Sequence, residues 1–228
     1  DENVSPVGTE SKSGKASPRN LLTTTVGDEL KIATNFRSKV IGISIKDRAA
    51  ILPAGHTADA AFWFDKSSNS FITSTYYMSE LPEWVKSFNS RGVAQKYLNQ
   101  GWKTLYPIDS YTQSTPDDMP YESRFANEKR PVFPHQLIDT VTGFDVGISN
   151  TPFGNGLLLT FAKEAIDAYQ LGRGGDTDLL TVSLSSPDAI GHRFGPNSIE
   201  IEDNYLRLDK DLEDFFSYLD KTIGKDQY

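Results

Sequence analysis

Two stretches of the chain are apolar with almost no alternation. Lys39-Val-Ile-Gly-Ile-Ser-Ile45 and Asp178-Leu-Leu-Thr-Val-Ser-Leu184 are the length of strands. Continuous β-branched character suits a strand covered on both faces, as in a parallel sheet. Elsewhere the apolar positions recur at three- and four-residue steps. Leu22, Val26, Leu30 and Ala33 predict a helix, with Ser17 as its N-cap and Pro18 at its first position. Leu158, Phe161, Ala165, Ala168 and Tyr169 predict another, ended by Gly172 and Gly174-Gly175. Ile201, Tyr205, Leu208, Leu212, Phe215 and Leu219 form the clearest stripe, backed by a face of Asp, Glu, Lys and Arg.

Between these elements the rhythm breaks. Ala61–Phe64, a polar turn over 65–70 and Phe71–Tyr77 read as a hairpin. Short helices are expected near 82–89 and 92–98. Residues 101–150 are rich in Pro, Tyr and Asp and have weak periodicity. Helix alternating with buried strand is the signature of an α/β fold. The expected organisation is an α/β core over 1–65 and 151–228, with 66–150 as an inserted lobe. Linkers are not this aromatic.

Composition narrows the function classes. Among 228 residues there are 13 Phe, 10 Tyr and 3 Trp, enough for a real core. The formal net charge of −8 disfavours wholesale nucleic-acid binding and repels anionic substrates, so phosphate chemistry would need local cations. With no cysteine, disulfides, thiolate metal sites and cysteine nucleophiles are excluded. No apolar run approaches the roughly 20 residues of a membrane span. The polar start at Asp1-Glu2-Asn3 reads as a chain entered part-way, with residues 1–16 a loop.

Candidate chemistry lies just past the two strands, where parallel α/β sheets place their sites. Lys46 and Arg48 follow the first strand. If extended they would point the same way, and two cations could grip phosphoryl oxygens. The plainer reading is a salt-bridged strand end, with Asp47 neutralising one of them. Asp188 and His192 follow the second strand, four residues apart. A carboxylate and an imidazole are a common pair for Zn²⁺; the plainer reading is a helix-start Asp with a solvent-facing His. His56, in Pro53-Ala-Gly-His-Thr57, could touch substrate or merely turn the chain, and His135 reads as structural.

Ser-Pro-Asp188-x-x-x-His192-x-x-Gly195-Pro196 resembles the metal-binding segment of the nucleotide pyrophosphatase/phosphodiesterase branch of the alkaline phosphatase superfamily. Ser17–Leu21, Thr25–Leu30, Ile45–Ala49, Pro53–His56 and Phe62–Asp65 are similar, in order, to the phosphate-irrepressible alkaline phosphatases of Bacteroidetes-type bacteria. The resemblance implies an alkaline-phosphatase-like α/β/α sandwich, of which this chain is a middle fragment. It implies a di-zinc enzyme acting on small-molecule phosphate monoesters through a phosphothreonine. Asp188 and His192 would be two ligands of one zinc, and Lys46 and Arg48 would hold the oxygens of a monoester dianion. Those two pairs would face one phosphoryl group. The nucleophilic Thr, an Asn and further Asp and His ligands have no counterpart here, so no catalytic nucleophile is expected in this chain. Alone it should turn over little p-nitrophenyl phosphate and bind zinc weakly. The full-length protein would be periplasmic or secreted. Two alternatives stand beside this reading. One is a phosphodiesterase or nucleotide pyrophosphatase of the same superfamily; the other is a non-catalytic, aromatic-rich binding module.

Overall fold

The computed structural model describes residues 1–126, 128–138 and 145–228. In chain order its elements are β1 (Pro6–Val7), α1 (Val26–Ala33), β2 (Val40–Ser44), α2 (Asp47–Ala54), β3 (Ala60–Asp65), β4 (Ser70–Ser74), α3 (Glu83–Ser90), α4 (Val93–Asn99), α5 (Phe153–Tyr169), β5 (Leu179–Ser183), α6 (Ser186–Phe194) and α7 (Ile199–Leu219). They fall into two compact units. Unit 1 comprises Asp1–Gly92, Leu158–Ser183 and Phe215–Tyr228; unit 2 comprises Val93–Leu157 and Leu184–Asp214. The stretch expected as an inserted lobe, 66–150, thus supplies β4 and α3 to unit 1 and α4 to unit 2. The hairpin explains why residues past 65 stay with the sheet: Phe64 pairs with Phe71 and Asp65 with Ser70.

Unit 1 is built on one mixed sheet in the order β1-β4-β3-β2-β5. β2 runs parallel to both β3 and β5, while β3, β4 and β1 are joined antiparallel. The α/β expectation holds, and the lack of alternation in β2 has its cause here. Val40, Ile41 and Ile43 are fully buried because the strand has neighbours on both sides and is packed on by helix α2. Alternate residues of β3 serve opposite faces. Phe62 and Phe64 join an aromatic cluster with Phe71, Trp84, Phe88 and Phe161, in which Phe71 and Phe161 stack at 3.8 Å. Ala61 and Trp63 pack with Ala50, Ile51 and Ile72 on the other face. Helices therefore cover both faces of the sheet.

Gly42 sets how closely α2 approaches. A Cβ there would stand 2.0 Å from the Ala50 carbonyl oxygen and 3.0 Å from the Ala54 Cβ. Only a residue without a side chain lets the helix lie this near the strand.

The first helix departs from expectation. It starts at Val26, not at Pro18, with Thr25 and Asp28 forming a reciprocal capping box. Its buried residues are Gly27, Asp28 and Lys31, whereas Leu22 and Val26 are 97 % and 76 % exposed. Polar partners explain the inversion. Asp28 accepts from the Thr57 backbone and hydroxyl, both at 2.8 Å, and Lys31 donates to both oxygens of Asp59 at 2.7 Å. Ser17 instead donates to Asp1 at 2.5 Å.

Unit 2 has little regular sheet. Trp102 and His135 form an isolated antiparallel bridge, and Ile138 and Asp145 another. Its core gathers Trp102, Phe125, Leu137 and Phe194. Asp203 of α7 is fully buried and accepts from Trp102 Nε1 at 2.7 Å, the Leu105 amide at 2.6 Å, the Tyr111 hydroxyl at 2.5 Å and Arg207 Nε at 2.6 Å. One carboxylate thus ties irregular chain to a helix.

Candidate functional site

The parallel pairing of β2 with β5 brings Ser44 opposite Ser183, so both carboxyl ends lie at one edge of the sheet. Ser44 is buried, and its hydroxyl donates to the Ser183 carbonyl at 3.1 Å while accepting from the Lys46 amide at 3.2 Å. A serine closing an apolar strand is the signal that could have marked it from sequence.

Lys46 is the extended N-cap of α2, at φ −94° and ψ 133°. Arg48 is not extended, because the helix begins between the two cations at Asp47. The expected two-apart strand pair is therefore a cap residue and a first-turn residue. Asp47 turns inward to its own helix end, its Oδ1 accepting from the Arg48 amide at 2.6 Å. Both Lys46 and Arg48 are exposed. They stand at the amino end of a helix, where unsatisfied N–H groups add partial positive charge.

Asp188 and His192 belong to unit 2. Ser185 precedes α6, and Pro187 in its first turn fits the missing N–H requirement there. Four residues apart on a helix share a face. His192 Nε2 lies 3.2 Å from Asp188 Oδ1, and both side chains are largely exposed, at 81 % and 55 %. Two donor atoms of the types zinc takes are side by side and open to solvent. Among the described residues no group of three or more His, Cys, Asp or Glu side chains could hold a metal. The pair fits part of a metal site and not the whole of one.

Of the other histidines, His56 is half-buried and His135 is buried. His56 Nδ1 lies 3.3 Å from Asp28 Oδ2 and its Nε2 lies 3.0 Å from the Leu21 carbonyl oxygen. Its carbonyl accepts from the Tyr76 hydroxyl at 3.0 Å. Of the two readings of His56, the turn residue is the one with partners. His135, 1 % exposed, sits between Glu128 and Glu200.

Against this geometry, the model of the type I phosphodiesterase / nucleotide pyrophosphatase family matches residues 19–228. The chain belongs to that family. It is 58 % identical over 228 residues to alkaline phosphatase PhoV of Synechococcus elongatus, covering 100 % of this chain and 42 % of that protein. It is 57 % identical over 232 residues to a protein of Myroides odoratus named a calcium-transporting ATPase, again covering 100 % of the chain and 42 % of the relative. Alkaline phosphatase PafA of Elizabethkingia meningoseptica is 53 % identical over 232 residues. A crystal structure of wild-type PafA matches with a TM-score of 0.95, covering 100 % of this chain and 44 % of that one. The chain spans about two-fifths of the length of these relatives. The resemblance read from Asp188-x-x-x-His192 and the Lys46–Arg48 segment is to the same proteins, and the α/β fold is theirs.

Proposed function

We propose that the protein carrying this chain is a metal-dependent alkaline phosphatase acting on small phosphate monoesters. The observation that carries the reading is the placement of Lys46 and Arg48 at the end of a parallel strand, in a chain alike along its whole length to alkaline phosphatases. A monoester dianion brings one more negative charge than a diester, and the acidic chain must offset it locally. In this reading the Lys46 ammonium and the Arg48 guanidinium take the non-bridging oxygens, Arg48 in its forked geometry. A solved PafA variant has a lysine and an arginine replaced two positions apart, the spacing of Lys46 and Arg48.

Asp188 and His192 would hold a metal ion, zinc by their chemistry, as two of its ligands. When bound, such an ion polarises a phosphoryl oxygen and lowers the pKa of an attacking group. His192 must be neutral to ligate, so binding is lost as the imidazole protonates. The nucleophile in this reading is a threonine outside the 228 residues, passing through a phosphothreonine, and the remaining ligands also lie outside them. In this reading the full-length protein is periplasmic or secreted, which fractionation would test.

The test compares rates on p-nitrophenyl phosphate, bis-p-nitrophenyl phosphate and ATP in the full-length protein, with metal content measured alongside. Preference for the monoester, lost with the metal and in Asp188→Ala and His192→Ala, supports the reading. Preference for the diester would make the family's phosphodiesterase chemistry the better account. Absence of turnover on all three by metal-loaded protein would favour a binding module.

A further inference from the structure

The most unusual polar group outside the candidate site is His135. It is 1 % exposed, and Glu200 is equally buried. Its Nδ1 lies 3.0 and 3.2 Å from the two oxygens of Glu128, and its Nε2 lies 3.0 Å from Glu200 Oε1. Carboxylates are acceptors, so a ring flanked by two of them is satisfied only when both nitrogens carry protons. The walls are aromatic: Trp102, Phe125, Phe133 and Phe194 have ring centroids 5.3, 5.3, 4.6 and 5.1 Å away.

Phe194 is the last residue of α6, and Glu200 lies in the first turn of α7. Residues 114–126 and 128–137 lie against the corner between those helices. Thr115 donates to the Asn197 carbonyl at 2.8 Å and Ser123 to the Arg193 carbonyl at 2.9 Å. The Arg193 guanidinium lies over Phe125 at 4.8 Å.

We infer that Glu128, His135 and Glu200 form a proton-dependent clasp that seats the carboxyl end of α6, making His135 a positioning residue for the helix that bears Asp188 and His192. With the proton lost, one N–H must serve two buried carboxylates. Glu128 also accepts from the Phe125 and Gln136 amides at 3.2 and 3.0 Å. Glu200 has His135 as its partner among the described residues. The remaining proton therefore stays on Nε2 toward Glu200, and the Nδ1 contact with Glu128 opens.

The surrounding charges favour the closed form. Asp117 and Glu122 face Glu200 from residues 114–126, and Asp118 lies near both of them. Arg193 of α6 faces Glu128 and works the other way. Burial opposes the charged ring, but hydrogen bonds and charges from Glu128 and Glu200 outweigh it and raise His135 to about 9. Proton loss thus falls at alkaline pH.

The clasp stands on unit 2 alone; its consequence for turnover rests on the phosphatase reading. NMR titration of the imidazole Cε1 signal in the protein should place His135 near pH 9. Glu200→Gln should lower that midpoint by about one unit or more. Hydrogen exchange of the α6 amides should then accelerate through the same midpoint, beyond the intrinsic base-catalysed rate. Glu128→Gln provides the second variant should Glu200→Gln not fold. Neither readout uses phosphatase activity, so both survive failure of that reading. If the reading holds, the alkaline limb of kcat/KM moves down with the variant's midpoint. A His135 midpoint at or below about 7, or one unmoved in either folded variant, would overturn the clasp. So would α6 exchange that ignores the midpoint.

Discussion

The Ser44 hydroxyl donates to the Ser183 carbonyl at 3.1 Å, pinning together the carboxyl ends of the parallel neighbours β2 and β5. The same oxygen accepts from the Lys46 amide at 3.2 Å. One buried atom thus couples sheet register to the backbone of a proposed phosphate ligand. Ser44→Ala removes both bonds and leaves an amide without that partner. Unfolding in urea should show a loss of about 1–3 kcal/mol. KM for a monoester should rise more than kcat falls, since the defect is in holding Lys46.

Gly42 makes a related prediction through packing. Gly42→Ala puts a methyl against the Ala50 carbonyl, which belongs to the backbone of α2 and cannot rotate away. The helix must shift from the strand, at about 1–3 kcal/mol. Because Lys46 caps that helix and Arg48 is in its first turn, calorimetry should register lower stability together with weaker inhibition by inorganic phosphate. Glycine-to-alanine at Gly175, where nothing lies within 4 Å, should leave both unchanged.

Much of this framework was readable in advance. β2 and the β3–β4 hairpin announce themselves because their burial is apolar and local in period. β5, read as a buried strand, is instead half-buried at the sheet's edge, and α7 buries Asp203 and Asn204 while Tyr205 of its expected apolar stripe is exposed. What escaped was polar burial. Lys31 and Asp28 look like the solvent face of a helix until Asp59 and Thr57, which lie 28 and 29 residues away, are seen to bond them. The partners of His135 are 7 and 65 residues distant, and no spacing rule connects them. Lys46 and Arg48 were visible as cations at a strand end, but Asp47 as a helix start was not. Asp188 and His192 needed only helical spacing to be brought together.

Asp65 supplies a pH dependence with a definite sign. Burial alone would raise its carboxyl, yet hydrogen bonds from Ser67, Ser13, Thr9 and Ser68 hold it well below the usual carboxylate range. A group depressed on folding stabilises fully above its unfolded value near 4 and loses that contribution as pH falls through its folded value. Asp65→Asn should therefore cost on the order of 2 kcal/mol at pH 7. Its stability should also fall less steeply than the wild type's below about pH 4. Urea midpoints across the acid range check both statements; parallel curves would mean that Asp65 is not the group responsible.

The central claim is that Lys46 and Arg48 neutralise a phosphoryl dianion. It is tested most directly by the ratio of kcat/KM for p-nitrophenyl phosphate to that for bis-p-nitrophenyl phosphate in the full-length protein and in Lys46→Ala/Arg48→Ala. Removing two charge-assisted contacts of about 1.5–3 kcal/mol each should lower monoester turnover by about two to four orders of magnitude. Diester turnover should fall far less, so the ratio collapses. A ratio that stays constant, with both substrates equally affected or neither, would contradict the account.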